Sequence, residues 1–258
     1  MIGAAKNIVL FGQTGVGKSS VINLMAEGDR AKTSLGTERC TLGWEEYPIS
    51  FGEYNYRVFD TIGLEEPQLG IKEYLSAIYN ARGLIMKLED EDGIDLLLFC
   101  VRAGRLSATV QNNYRLFYEW LCEKRVPIVI VITGLESEAN MEDWWTKYKG
   151  SFDKLDIVVD GHVCITAINL GGDYKRLYEQ SRALVRNIVQ QYTRGRPRDG
   201  YKGGEGWFKR FIRSLRELII GPDVKKKDIV TVLTKRCGMP MEAAVELAKQ
   251  VREDPRRK

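Results

Sequence analysis

Apolar and polar residues alternate along the first 193 positions in two rhythms. Short, nearly continuous or alternating apolar runs predict strands near 7–12, 44–51, 55–60, 94–101, 127–133 and 162–166. Between them, apolar positions recurring every three or four residues predict helices near 18–26, 70–88, 108–124, 140–148 and 174–192. The runs Ile94 to Val101 and Pro127 to Thr133 are apolar almost throughout, as in parallel strands covered on both faces. Tyr114, Phe117, Tyr118 and Leu121 share one face of their helix. Only Gly52-Glu53-Tyr54 separates the second strand from the third, too short for a crossover, so that pair is expected to be an antiparallel hairpin. Strands alternating with helices predict an α/β fold: three layers around a mostly parallel six-stranded sheet.

The pattern changes after residue 193. Five glycines and a proline between Thr193 and Gly206 break any helix, so 1–193 reads as the main domain and 194–206 as a linker. Residues 207–258 then read as a helical C-terminal extension, with an amphipathic helix at 207–219 and a helix pair near 224–236 and 240–253. Charge divides at the same place. Residues 194–258 hold 18 Lys/Arg against 9 Asp/Glu, a balance of +9, while the body balances at −5. In 207–219, Trp207, Phe208, Phe211, Ile212, Leu215, Leu218 and Ile219 form one stripe, with Lys209, Arg210, Arg213 and Arg216 away from it. Such a helix suits docking on the acidic body, a partner protein or an anionic membrane; for nucleic acid the tail offers charge but no motif.

Composition adds bounds. Hydrophobic residues at 44% and charged residues at 29% describe a soluble globular chain. Five widely spaced cysteines, with no C-x-x-C, argue against structural zinc and a disulfide framework. No apolar run reaches membrane-span length, and the expected location is cytoplasmic, peripheral at membranes if the tail binds them.

The candidate chemistry begins at Gly12-Gln13-Thr14-Gly15-Val16-Gly17-Lys18-Ser19, a G-x-x-x-x-G-K-S loop between the first strand and first helix. Its glycines permit a tight loop whose backbone N–H groups, from Gln13 through Ser20, can face an anion, and the helix N-terminus adds its positive dipole end. Lys18 can reach β- and γ-phosphates and the Ser19 hydroxyl can hold Mg²⁺, so the loop predicts a nucleoside triphosphate site. Forty-one residues beyond Ser19, Asp60-Thr61-Ile62-Gly63 closes the third strand as a D-x-x-G element. There Asp60 is expected near Mg²⁺ and the Gly63 N–H near the γ-phosphate.

Together these motifs resemble the TRAFAC class of GTPases. The form Asp60-Thr61-Ile62-Gly63-Leu64 is similar to that of septins, chloroplast-import GTPases and avirulence-induced, immune-associated (AIG-type) GTPases. Leu96 to Cys100, Asn113 to Phe117 and Glu142 to Trp145 look like small fungal G-domain P-loop NTPases. The resemblance covers 6–193 and implies GTP or GDP as ligand. It places Thr133-Gly134-Leu135-Glu136 where G proteins carry [NT]-K-x-D. Glu136 then offers guanine a carboxylate one methylene further out, and Gly134 removes the lysine whose stem covers the base. Cys164-Ile165-Thr166-Ala167 resembles the family's final S-A-x loop, with the Ala167 N–H toward guanine O6. The switch I threonine is Thr41, just before the second strand, with Thr37 as the alternative.

Hydrolysis is less determined. No Gln follows Gly63 directly; Gln68 or Glu65 could orient water, and Arg102 or Arg105 could act across a homodimer formed through the nucleotide face. The expected catalytic set is Lys18, Thr41 and Gln68, in an enzyme slow alone. A slow Mg²⁺-dependent GTPase switch is thus weighed against an interaction module with negligible turnover or relaxed GTP/ATP choice. His162, the only histidine, and Trp144-Trp145 read as structural.

Overall fold

The computed structural model describes residues 5–26, 44–61, 81–168 apart from 82, 86 and 89, then 171, 174–195 and the single positions 230, 241 and 245. The chain divides into two compact units, Met1–Glu65 with Asn80–Gly203 and Glu66–Tyr79 with Gly204–Lys258. In the second unit, Val230, Met241 and Val245 are helical, at positions where the tail helices are expected. All elements below belong to the first unit.

Six strands form one sheet: β1 (Lys6–Gly12), β2 (Trp44–Phe51), β3 (Tyr54–Thr61), β4 (Leu96–Arg102), β5 (Ile128–Thr133) and β6 (Gly161–Cys164), in the order β2-β3-β1-β4-β5-β6. Five strands run parallel and β2 alone is antiparallel, paired with β3 from Trp44 opposite Thr61 to Phe51 opposite Tyr54. The expected hairpin and mostly parallel sheet are both present. Every residue of β5, and all but the last of β4, is buried, as strands covered on both faces require.

Helices lie on both faces. On one, α1 (Lys18–Ala26) and α4 (Tyr174–Thr193) pack Val21, Ile22, Met25, Val185 and Val189 against Ile8, Leu10, Leu98 and Val131. The carbonyls ending α1 are capped by arginines of α4: Arg182 Nε donates to Leu24 O at 3.1 Å and Arg186 Nη2 to Met25 O at 2.6 Å. On the other face, Phe11 stacks on Phe99 and Phe117, with centroids 4.8 and 4.6 Å apart. Phe117 belongs to a segment that departs from expectation. The helix expected over 108–124 is α-helical only as α2 (Ala108–Tyr114) and continues as a π-helix over Arg115–Leu121. The wider turn, closed by Cys122 N–H to Phe117 O at 3.0 Å, lets Leu116 and Phe117 both be buried alongside Tyr114 and Leu121. Helix α3 (Glu142–Asp153) starts two residues later and ends five later than the pattern suggests.

Helical positions also occur from Ala81 to Asp90, at the end of the expected 70–88 helix. The structural readings of Trp144, Trp145 and His162 hold. Trp144 is buried, and Trp145 stacks on His162 at 4.5 Å while the imidazole bonds Glu142. Cys100 and Cys164 are free, buried thiols, Cys122 is buried as well, and no metal-binding cluster of His, Cys, Asp or Glu occurs among the described residues.

Candidate functional site

The loops at the carboxyl ends of the parallel strands gather the predicted residues along one edge of the sheet, where open α/β sheets bind ligands. After β1 the chain turns through Gly12, Gly15 and Gly17, with φ of 143°, 77° and 92°, into α1. Gly12 has a second constraint, because a Cβ there would stand 2.2 Å from the carbonyl oxygen of Cys100 on β4. No side chain fits between these strands. Helix α1 carries no acidic residue in its first turn, so its positive end is not neutralised from within.

Around this loop the anchors come from neighbouring strands. The Thr133 hydroxyl, at the end of β5, donates to Val16 O at 2.6 Å, and Gln13 Nε2 donates to Ser107 Oγ at 2.9 Å. Lys18 is buried, and its ammonium donates to Gly12 O and Gln13 O, both at 3.1 Å, spanning the loop from beneath. The Thr61 hydroxyl donates to Leu10 O at 2.8 Å and ties the end of β3 to β1.

Asp60 is brought to the loop by β3. Its Oδ2 accepts a hydrogen bond from Ser19 Oγ at 2.8 Å, joining residues 41 apart in sequence. Its Oδ1 is buried without a hydrogen-bond partner among the described residues. Burial pushes the Asp60 carboxyl above the usual carboxylate range, against the opposing pull of the Lys18 charge and the Ser19 hydroxyl. A hydroxyl and a carboxylate oxygen with no partner among the described residues supply the hard oxygens that suit Mg²⁺, and the neighbouring Lys18 ammonium suits the phosphate beside it. The chemistry of these donors fits the metal. Behind them the Cys100 thiol is raised to about 12 by desolvation, so it stays a neutral packing group.

On the far side of Thr133, half-buried Glu136 has its carboxylate 3.5 Å from the hydroxyl of Thr166. The Thr166 N–H donates to Ser181 Oγ of α4 at 3.1 Å, which holds the loop carrying Ala167. Thus Gln13 to Ser20, Asp60, Thr133, Glu136, Thr166 and Ala167 share one edge of the sheet. Thr37, Thr41, Gly63, Glu65 and Gln68 lie outside the described residues. Sequence reasoning missed Ser107, Ser181 and the Cys100 carbonyl, whose roles arise from contacts across strands and carry no local motif.

Comparison with known proteins accords with this geometry. Residues 7–134 match the family of 50S ribosome-binding GTPases. The chain carries a GTP-binding P-loop G domain. Over 129 residues it is 32% identical to the tRNA modification GTPase MnmE of Treponema denticola, a match covering 49% of this chain but 25% of that protein. The G domain also shares its fold with the chloroplast translocon components atToc33 and psToc159, at a TM-score of 0.57 and 18% identity over 75% of this chain and 85% of theirs. Era bound to MgGDPNP and a segment of 16S ribosomal RNA aligns with a TM-score of 0.52 and 17% identity, over 76% of this chain and 59% of Era.

Proposed function

We propose that the G domain binds guanine nucleotide with Mg²⁺ and hydrolyses GTP slowly, acting as a nucleotide-dependent switch. The observation that carries this reading is the pairing of Ser19 and Asp60 beside Lys18, with one carboxylate oxygen unsatisfied among the described residues. Ser19 and Asp60 would hold the metal, which supplies charge neutralisation between phosphate groups. Lys18 would move from the loop carbonyls to phosphate oxygens, exchanging neutral acceptors for charged ones. Glu136 would read the guanine edge, and the Ala167 N–H its carbonyl oxygen. From the sequence, Gly63 is assigned to the γ-phosphate and Thr41 (or Thr37) to the metal, with Gln68 (or Glu65) as the candidate to orient the attacking water.

Within the GTPases we favour the septin and AIG-type kind, on the form Asp60-Thr61-Ile62-Gly63-Leu64. On this reading the domain pairs through its nucleotide face. The basic helix at 207–219 contacts the acidic body, a partner protein or an anionic membrane, and the protein works in the cytoplasm.

Titration calorimetry with Mg²⁺ tests the nucleotide site. Lys18→Ala should weaken GTP binding by about 10- to 100-fold, the worth of hydrogen bonds to charged groups. Wild-type affinity in that variant would remove the assignment. Glu136→Ala should bring the GTP and ATP affinities together; a wild type that already binds both equally rules out guanine selection. Multiple-turnover phosphate release should be slow with GTP and lost in Lys18→Ala.

A further inference from the structure

Arg102 ends β4 directly opposite Thr133 in the ladder to β5. One residue further, Gly134 turns the chain with φ of 80°, and the Arg102 side chain lies along that turn. A Cβ at position 134 would stand 3.3 Å from Arg102 Cγ, 3.4 Å from Nε and 3.5 Å from Cζ. The left-handed backbone and the occupied space together disfavour any side chain at 134. Yet position 134 is where G proteins carry the lysine whose stem covers the base. We propose that Arg102, delivered from the neighbouring strand, takes over that part and forms the wall against which the nucleobase lies. The inference rests on the nucleotide reading of this edge and adds a base-positioning residue to it.

Three features converge on this role. Arg102 is exposed and makes no ion pair among the described residues, so its guanidinium plane is uncommitted. Its side chain lies beside Gly134, which in the chain separates the Thr133 anchor on the phosphate loop from Glu136, the candidate reader of the base edge. A plane beside Gly134 and a carboxylate two residues further on offer one ring a face contact and an edge contact. The guanidinium is also flat, permanently charged and weakly hydrated, properties that favour stacking on an aromatic face over the compact ammonium of lysine. Gly134 then becomes a requirement rather than a loss, since only glycine leaves the arginine its path.

The test compares two probes on the full chain in Mg²⁺: GDP, which has a base, and inorganic tripolyphosphate, which has none. Arg102→Ala should weaken GDP about tenfold, between the worth of an exposed and of a desolvated cation–π contact, and leave tripolyphosphate unchanged. Unchanged GDP affinity would overturn the proposal. So would an equal loss for tripolyphosphate, which would make Arg102 a phosphate ligand. Melting without nucleotide checks that the variant is folded. If it is not, Arg102→Lys, which keeps the stem, serves the same comparison with an expected threefold loss of GDP. A wild type that binds ADP as well as GDP defeats guanine selection but leaves the Arg102 comparison readable, because stacking does not require guanine. A wild type that prefers GDP, with Arg102→Ala unchanged, defeats Arg102 alone.

Discussion

Asp60 shows what a metal-side carboxylate costs its own fold. Oδ2 is satisfied by Ser19, whereas Oδ1 is buried without a partner among the described residues, and desolvation disfavours its charge. Such a group is retained against stability. Asp60→Asn should therefore raise the melting temperature without nucleotide by about 2–4 °C, corresponding to about 1 kcal/mol in a protein of this size. The same variant should lose the further rise that Mg²⁺ and GTP give the wild type. A nucleotide-free variant less stable than wild type would show that the carboxylate is a net structural contributor. Gly12 poses the opposite case: its backbone φ, and the 2.2 Å at which a Cβ there would meet Cys100 O, make it structural before it is functional.

Pairs of elements carry the next level. The β2–β3 hairpin is joined through Arg57 of β3, which holds Glu46 of β2 at 2.6 Å and also bonds Glu91. Lys87, at a helical position, reaches Glu46 at 2.9 Å. The Arg57 hydrogen bond, then Lys87, holds the Glu46 carboxyl at about 2, well below its ordinary 4.5, although its burial opposes this. A depressed folded-state value means that stability is present above the unfolded value and lost as pH falls through the folded one. The stability difference between wild type and Glu46→Gln should thus be constant from neutral pH to about 4.5 and vanish toward about 2. Denaturant unfolding across that range measures it. Partial exposure of the pair keeps the difference small and sensitive to salt.

At the scale of the molecule, the charge division between body and tail sets the expectation. A stripe of seven large apolar residues in 207–219 needs a partner, since burying each is worth about 1.5–3 kcal/mol. If the helix is regulated, hydrogen exchange across 207–219 should differ between GDP and a non-hydrolysable GTP analogue, and protection should weaken with salt. Equal protection in all conditions would mean a permanent structural helix. Pairing through the nucleotide face predicts a dimer in sedimentation with one of the two nucleotides. A monomer with both would exclude it at the concentration tested.

Much of the G domain follows from local order in the chain. Buried parallel strands announce themselves as continuous apolar runs, a hairpin by a connection too short to cross over, and the phosphate loop by glycines next to a lysine and a serine. These signals are local because each arises from backbone geometry over a few residues. The π-helix at Arg115–Leu121 left no such mark, because its wider turn is stabilised by burying Leu116 and Phe117 together against the sheet. Nor could sequence place the Asp60 carboxylate on Ser19, or show that one of its oxygens is buried without a partner among the described residues. Gly134 reads in sequence as a missing lysine. Only the pairing of β4 with β5, which sets Arg102 opposite Thr133, puts a cation back along that turn. Strand order decides which side chains meet, and strand order is a property of the folded sheet.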